Sequence, residues 1–166
     1  LMGIEGGYAI ENSLSALREF YRLGVRYMTL THNVTHDWAD AHNDTPKNNG
    51  LSDFGKDVVR EMNRLGMMID ISHVSAKVMS DVLDVTTAPI MASHSGARGV
   101  NDHTRNVPDD ILKRLPKNGG VIMVNFYPDF LDARTNKEDN EMTAKLRPQI
   151  QALREQYKND PAGLKD

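Results

Sequence analysis

Glu5, His32, His73 and His94 are the residues of this sequence most able to do chemistry together. Each stands at or just beyond the C-terminal end of a short apolar run that reads as a β-strand. One carboxylate and three imidazoles are the oxygen and nitrogen donors that zinc accepts, and any three of them suffice to hold an ion. A carboxylate can also bridge two ions through its two oxygens. Taken singly, a histidine at a strand end is more often a hydrogen-bonded structural residue. Four such groups on four strand ends argue for one shared site, because barrels gather their catalytic groups at that edge.

Other chemistry-bearing residues carry less. His36, Asp37, His42 and Asp44 crowd a long polar loop after His32. A second metal site there is the weaker reading, since loop histidines and aspartates are usually solvated; the nearby Trp38 and Gly50 suggest a flap on the substrate side. His103 reads as an exposed loop residue, and Arg105 by itself as a loop arginine that caps carbonyls or pairs with Asp102. Ser72-His73 and Ser93-His94-Ser95 do not make a serine hydrolase: neighbouring residues are not expected to reach nucleophile and base geometry, and no G-x-S-x-G elbow is present. Gly3, Gly6 and Gly7 lack the dinucleotide spacing and leave Glu5 the alternative of meeting turn amides.

The elements that must position these groups follow from periodicity. Apolar runs at Met2–Ile4, Tyr27–Thr31, Met67–Ile71, Pro89–Ala92 and Val121–Phe126 predict buried parallel strands. Between them Leu14, Leu17 and Tyr21 share a helical face closed by Gly24. Phe54, Val58, Met62 and Leu65 do the same between Ser52 and Gly66. Ser75 can cap a third helix carrying Val78, Met79 and Val82, and Pro108 with Asp109 and Asp110 suits the start of a fourth. The β-α alternation predicts an α/β fold with a parallel sheet, either doubly wound or an arc of a (β/α)8 TIM-type barrel, with about five strands, too few to close it. Residues 1–127 form the central β/α units of one incomplete barrel domain, and 128–166 a polar helical excursion. Within it Tyr127–Asn140 reads as loop, then Met142, Leu146, Ile150, Leu153 and Tyr157 follow helical spacing, with Pro148 predicting a kink or two shorter helices.

Composition excludes several classes. The 166 residues are 39% hydrophobic and 26% charged with net charge -3, so a core is affordable and no basic field offers itself to nucleic acid. No apolar run approaches the roughly 18 residues of a membrane span. The absence of cysteine removes disulfides, thiolate zinc sites and a cysteine nucleophile, and leaves the compartment open. Leu1–Glu5 reads as a strand rather than a signal peptide. The methionines lie on apolar faces as core filler.

Five words in order carry a resemblance: Gly3-Ile4-Glu5-Gly6-Gly7, Thr29-Leu30-Thr31-His32-Asn33, Ile69-Asp70-Ile71-Ser72-His73-Val74-Ser75, Ser93-His94-Ser95 and Thr104-Arg105-Asn106-Val107-Pro108-Asp109-Asp110. From about Gly3 through Phe130 the chain resembles the central part of the renal (membrane) dipeptidases. The resemblance implies an amidohydrolase-like barrel that hydrolyses dipeptides at a binuclear Zn2+ centre. It implies further that Glu5 bridges the two ions and that His73 and His94 bind one of them. His32 contacts the substrate and steadies the oxyanion, and Arg105 holds the substrate in the same pocket; its guanidinium can grip a carboxylate through two parallel hydrogen bonds. Homodimers are common in such a family, and secreted, periplasmic and membrane-anchored parents are all compatible with it.

The same resemblance calls for a His-x-Asp pair on a first strand and a late aspartate that shuttles protons, and neither is in these 166 residues. The chain is therefore expected to be a truncated piece, inactive alone, of a metallo-dipeptidase. The alternatives are another amidohydrolase-type enzyme acting on a carboxylate-bearing amide or ester, and a non-catalytic degenerate fragment.

Overall fold

The computed structural model describes residues 1–158, side chains at 136 and 139 excepted. Five strands, β1 (Met2–Glu5), β2 (Val25–Thr29), β3 (Met68–Asp70), β4 (Met91–Ser95) and β5 (Val121–Val124), form one parallel sheet in sequential order. A doubly wound sheet reverses its order at a switch point, whereas a barrel adds each strand beside the last. The sequential order therefore decides between the two expected architectures in favour of an open barrel arc. Glu5, Thr29 and Asp70 stand in register as neighbours, and Asp70 pairs with Met91, so one row across the arc carries two carboxylates and a hydroxyl.

Four helices cover the outer face: α1 (Leu14–Arg22), α2 (Asp53–Leu65), α3 (Ala76–Val85) and α4 (Asp109–Asn118). Their starts are set locally. Ser13, Ser52 and Ser75 each accept a hydrogen bond on the side chain from the backbone N–H three residues on. Pro108 stands one residue before the first turn of α4, with Asp109 and Asp110 inside it at the positive end of the helix dipole. Gly66 and Gly119 close α2 and α4 in the left-handed region. Leu17, Val58, Met62, Val78, Met79, Val82, Ile111 and Leu115 pack against Met28, Ile69 and Ala92 of the sheet to make one core.

Three expectations shift. Strand β4 begins at Met91 and runs through Ser95, where Pro89–Ala92 was expected. Pro89 has no N–H to give, and Ile90 spends its own on the Asn118 side chain, so the ladder starts later; the polar Ser93-His94-Ser95 continues it. Residues 128–156 are helical from the outset, as α5 (Pro128–Leu131) and α6 (Ala133–Gln156). Asp132 caps α6 by accepting from Arg134 N, which the loop-like composition concealed, and Pro148 sits inside one continuous helix instead of dividing it. Trp38 is core, not flap: its indole is 1% exposed and packs edge-on against His36 and Phe54. The expected tail at 161–166 lies outside the described residues.

Candidate metal centre

Glu5 ends β1, and the chain then turns sharply because Gly6 and Gly7 donate N–H groups to Thr29 O and Leu30 O. His94 lies inside β4, and His73 follows β3 by three residues. His73 holds a left-handed backbone, φ 66, a conformation that costs energy for a residue with a side chain. Its carbonyl explains how the conformation persists: it accepts from His42 N at 2.9 Å and from Thr31 Oγ1 at 3.0 Å.

These three elements bring three donor atoms together. Glu5 Oε1 lies 3.1 Å from His73 Nε2 and 3.2 Å from His94 Nε2, and the two nitrogens are 2.8 Å apart. Zinc ligands about 2.1 Å from their ion lie about 3.4 Å from one another in a tetrahedron, so an ion fits after opening of a few tenths of an ångström. Glu5, His32 and His73 also offer ligand atoms within 4.8 Å of one another. The two triads share Glu5 and His73. The one with His94 is the tighter, because its three donor atoms lie within 3.2 Å of one another; the His32 ring meets His73 edge-on at 4.5 Å.

The protonation pattern sharpens this. Asn33 Oδ1 lies 3.2 Å from His73 Nδ1, so that nitrogen donates and Nε2 keeps its lone pair. Burial first, then Arg105 and the neighbouring histidines, push His73 down to about 3, so this ring is neutral at neutral pH. A carboxylate oxygen and two imidazole nitrogens so close are a donor set that a cation would satisfy.

Arg105 is almost fully buried. Its Nη2 donates to His94 O at 3.0 Å, its guanidinium stands over the Phe130 ring at 5.2 Å, and Nε has no partner. Burial lowers it to about 10, opposed by Glu5 and Asp70. Asp102 meets Arg98 instead, at 3.8 Å, so the pairing expected of a plain loop arginine is not made. A cation with an orphaned donor beside Glu5, His73 and His94 suits an anionic group on a bound molecule.

The His and Asp loop is spent on itself. Asp40 accepts from the N–H groups of Lys47, Asn48 and Gly50, Asp44 from Thr35 and Thr45, Asp37 from Asn12, and His36 Nε2 meets Leu30 O. His42 is the exception. Its ring lies 6.0 Å from that of His73, its Nδ1 meets Thr104 Oγ1 at 2.9 Å, and burial followed by Arg105, His103 and His32 brings it to about 4. His103 tilts against Phe130 at 4.9 Å.

Sequence reasoning passed over Asp70, Ser93 and Asn33. A charge inside the apolar run Met67–Ile71 was the available signal for Asp70. Adjacent Ser and His do reach each other here, Ser93 Oγ to His94 Nδ1 at 2.7 Å. They still make no nucleophile and base pair: Ser93 gives its proton to Asp70, and His94 turns its other nitrogen to Glu5.

An open barrel arc with a carboxylate and two imidazoles at its strand ends defines a class of metal-dependent barrel hydrolases. The chain belongs to the membrane dipeptidase family, peptidase family M19, which matches residues 1–164. It is 56% identical over 132 residues to an uncharacterized dipeptidase of Schizosaccharomyces pombe, covering 79% of this chain and 32% of that protein. It is 50% identical over 144 residues to the dipeptidase tcpJ of Claviceps purpurea, covering 86% and 33%. Among solved structures it resembles the probable dipeptidase PvdM from Pseudomonas aeruginosa, with TM-score 0.76, 32% identity, and coverage of 95% of this chain and 39% of that one. It also resembles a metallopeptidase from Rhodobacter sphaeroides liganded with a phosphinate mimic of the dipeptide L-Ala-D-Ala, with TM-score 0.69, 32% identity, and coverage of 78% and 38%. The chain spans about a third of the length of the curated relatives it matches. Among the described residues no helix is long and apolar enough to cross a membrane.

Proposed function

We propose that this chain carries the bridging-carboxylate and two-histidine face of a zinc-dependent dipeptidase, with Glu5, His73 and His94 as metal ligands and His32 and Arg105 as substrate contacts. The observation that carries the reading is the convergence of Glu5 Oε1, His73 Nε2 and His94 Nε2 within 3.2 Å of one another. Bound zinc would polarise the peptide carbonyl and lower the pKa of an adjacent water. Glu5 offsets the charge of the ion or ions, and His73 and His94 offer ring nitrogens. The buried guanidinium of Arg105 holds the free carboxylate of a dipeptide, and His32 faces the oxyanion that develops at the scissile carbonyl. The phosphinate dipeptide mimic held by the Rhodobacter relative supports a dipeptide as the substrate class. Arg105 favours a carboxylate-bearing substrate over a lactone or a neutral amide.

The chain alone is proposed to bind zinc without turning over dipeptides, since the first-strand His-x-Asp pair and the late aspartate that the resemblance calls for are not matched in it, and His42-Asn43-Asp44 lies in a loop. Dimer formation belongs to the same proposal for the longer protein. The test measures zinc stoichiometry and hydrolysis of dipeptides, N-acyl amino acids and lactones by this chain and by a form extended to the length of its relatives. Dipeptide cleavage by the extended form, with zinc binding and cleavage both lost in Glu5→Ala and in His94→Ala, is the expected result. An extended form that cleaves dipeptides equally well with His94→Ala would sink the ligand assignment.

A further inference from the structure

The barrel arc places a second carboxylate, Asp70, two strands in from Glu5 and out of reach of solvent. Four donors converge on it. Oδ1 accepts from the backbone N–H groups of Ser72 and Ser93, both at 3.0 Å, and Oδ2 from Thr29 Oγ1 at 2.7 Å and Ser93 Oγ at 2.5 Å. A serine hydroxyl has one hydrogen. That of Ser93 goes to Asp70, so toward His94 Nδ1, 2.7 Å away, the same oxygen can only accept. The hydrogen between Ser93 and His94 therefore sits on Nδ1, and Nε2 faces Glu5 and His73 with its lone pair free.

We propose that Asp70 and Ser93 are positioning residues of the metal centre: as a relay from Asp70 through Ser93 they hold His94 in its Nδ1–H tautomer, so that Nε2 is preset to bind the ion. The proposal rests on the reading of His94 as a metal ligand. Without the relay the imidazole divides between two tautomers, and the Nε2–H form puts a hydrogen where the ion belongs. Partners behind a ligating histidine commonly set its affinity in this way. Asn33 plays the corresponding part for His73 through its own Nδ1. The competing account is that Asp70 merely stitches β2, β3 and β4 together. The two separate cleanly, because the Thr29 hydroxyl serves only the stitch, whereas the Ser93 hydroxyl also serves the ring.

The experiment uses the full chain labelled with 15N-histidine. Long-range proton–nitrogen correlation spectra of the metal-free form report the tautomer of His94, and competition with a chromophoric chelator reports zinc affinity. The parent shows His94 as the Nδ1–H form. Ser93→Ala moves the ring toward the Nε2–H form and weakens zinc by about 10- to 100-fold. Thr29→Val lowers the urea midpoint but keeps the tautomer and the affinity. Ser93→Thr, which retains a hydroxyl, restores both. A Ser93→Ala variant with His94 still in the Nδ1–H form and zinc affinity unchanged reduces the relay to a strand stitch and overturns the proposal. Should the parent bind no zinc, the ligand reading fails on its own, and the tautomer comparison between parent and Ser93→Ala still decides whether the relay sets the ring.

Discussion

Holding neutral the buried His73 and the half-buried His42 makes the site costly to assemble, and pH reveals that cost. His73 and His42 titrate near 3 and near 4 in the folded chain, against an ordinary 6.5, because burial and the nearby Arg105 disfavour their protonated forms. An unfolded chain takes up these protons below pH 6.5 while the folded chain does not. The unfolded state then binds more protons, and stability falls as pH drops from 6.5 toward about 3, levelling only where both forms are protonated. The stretch from pH 6.5 to 5 lies above the carboxylate range and isolates the histidines. Urea midpoints of the metal-free chain should fall across it, with a shallower slope in His42→Gln. A flat profile from pH 6.5 to 5 would mean that these rings are solvated.

At the scale of elements, the turn after β1 depends on a residue without a side chain. A Cβ on Gly7 would lie 2.3 Å from the Trp38 ring and 2.5 Å from Leu30 O, the carbonyl that Gly7 N itself bonds. The indole cannot yield, being enclosed between His36 and Phe54. Gly7→Ala is expected to destabilise the chain by about 1–3 kcal/mol through overpacking. Because the turn also aims Glu5, zinc affinity should fall with it. Equal urea midpoints in Gly7→Ala and parent would show that the turn has slack. Helix starts were legible beforehand at Ser52, Ser75 and Asp109, where a local hydrogen bond or helix dipole decides. The start of β4 and the continuity of α6 were not. The first depends on Asn118, whose side chain takes the Ile90 N–H away from the ladder, and the second on a cap at Asp132 within a segment of loop-like composition.

For the whole molecule, β1 and β5 are the open edges of the arc among the described residues, and none of these residues covers its concave face. Tyr27, Met68, Met91, Val121 and Met123 line a cavity of about 430 Å3 on that face, and Val121, Val124 and Phe126 are more than half exposed. An uncovered apolar face flanked by unpaired strand edges invites association. The chain should self-associate with rising concentration in light-scattering chromatography, and Val121→Lys combined with Met123→Lys should return it toward the monomer. A monomeric parent at high concentration would argue that the exposed face is too small or too broken to associate.

Donor chemistry, strand and helix order and the family could all be read from the chain, because each rests on residue type, short-range periodicity or words of a few residues. Glu5, His73 and His94 could be named as partners on those grounds. Their meeting within 3.2 Å, the left-handed backbone at His73 and the proton order from Asp70 through Ser93 to His94 could not. These depend on strand register and on which atom of a neighbouring strand accepts which hydrogen. Such quantities come into being only when segments far apart in sequence are packed side by side.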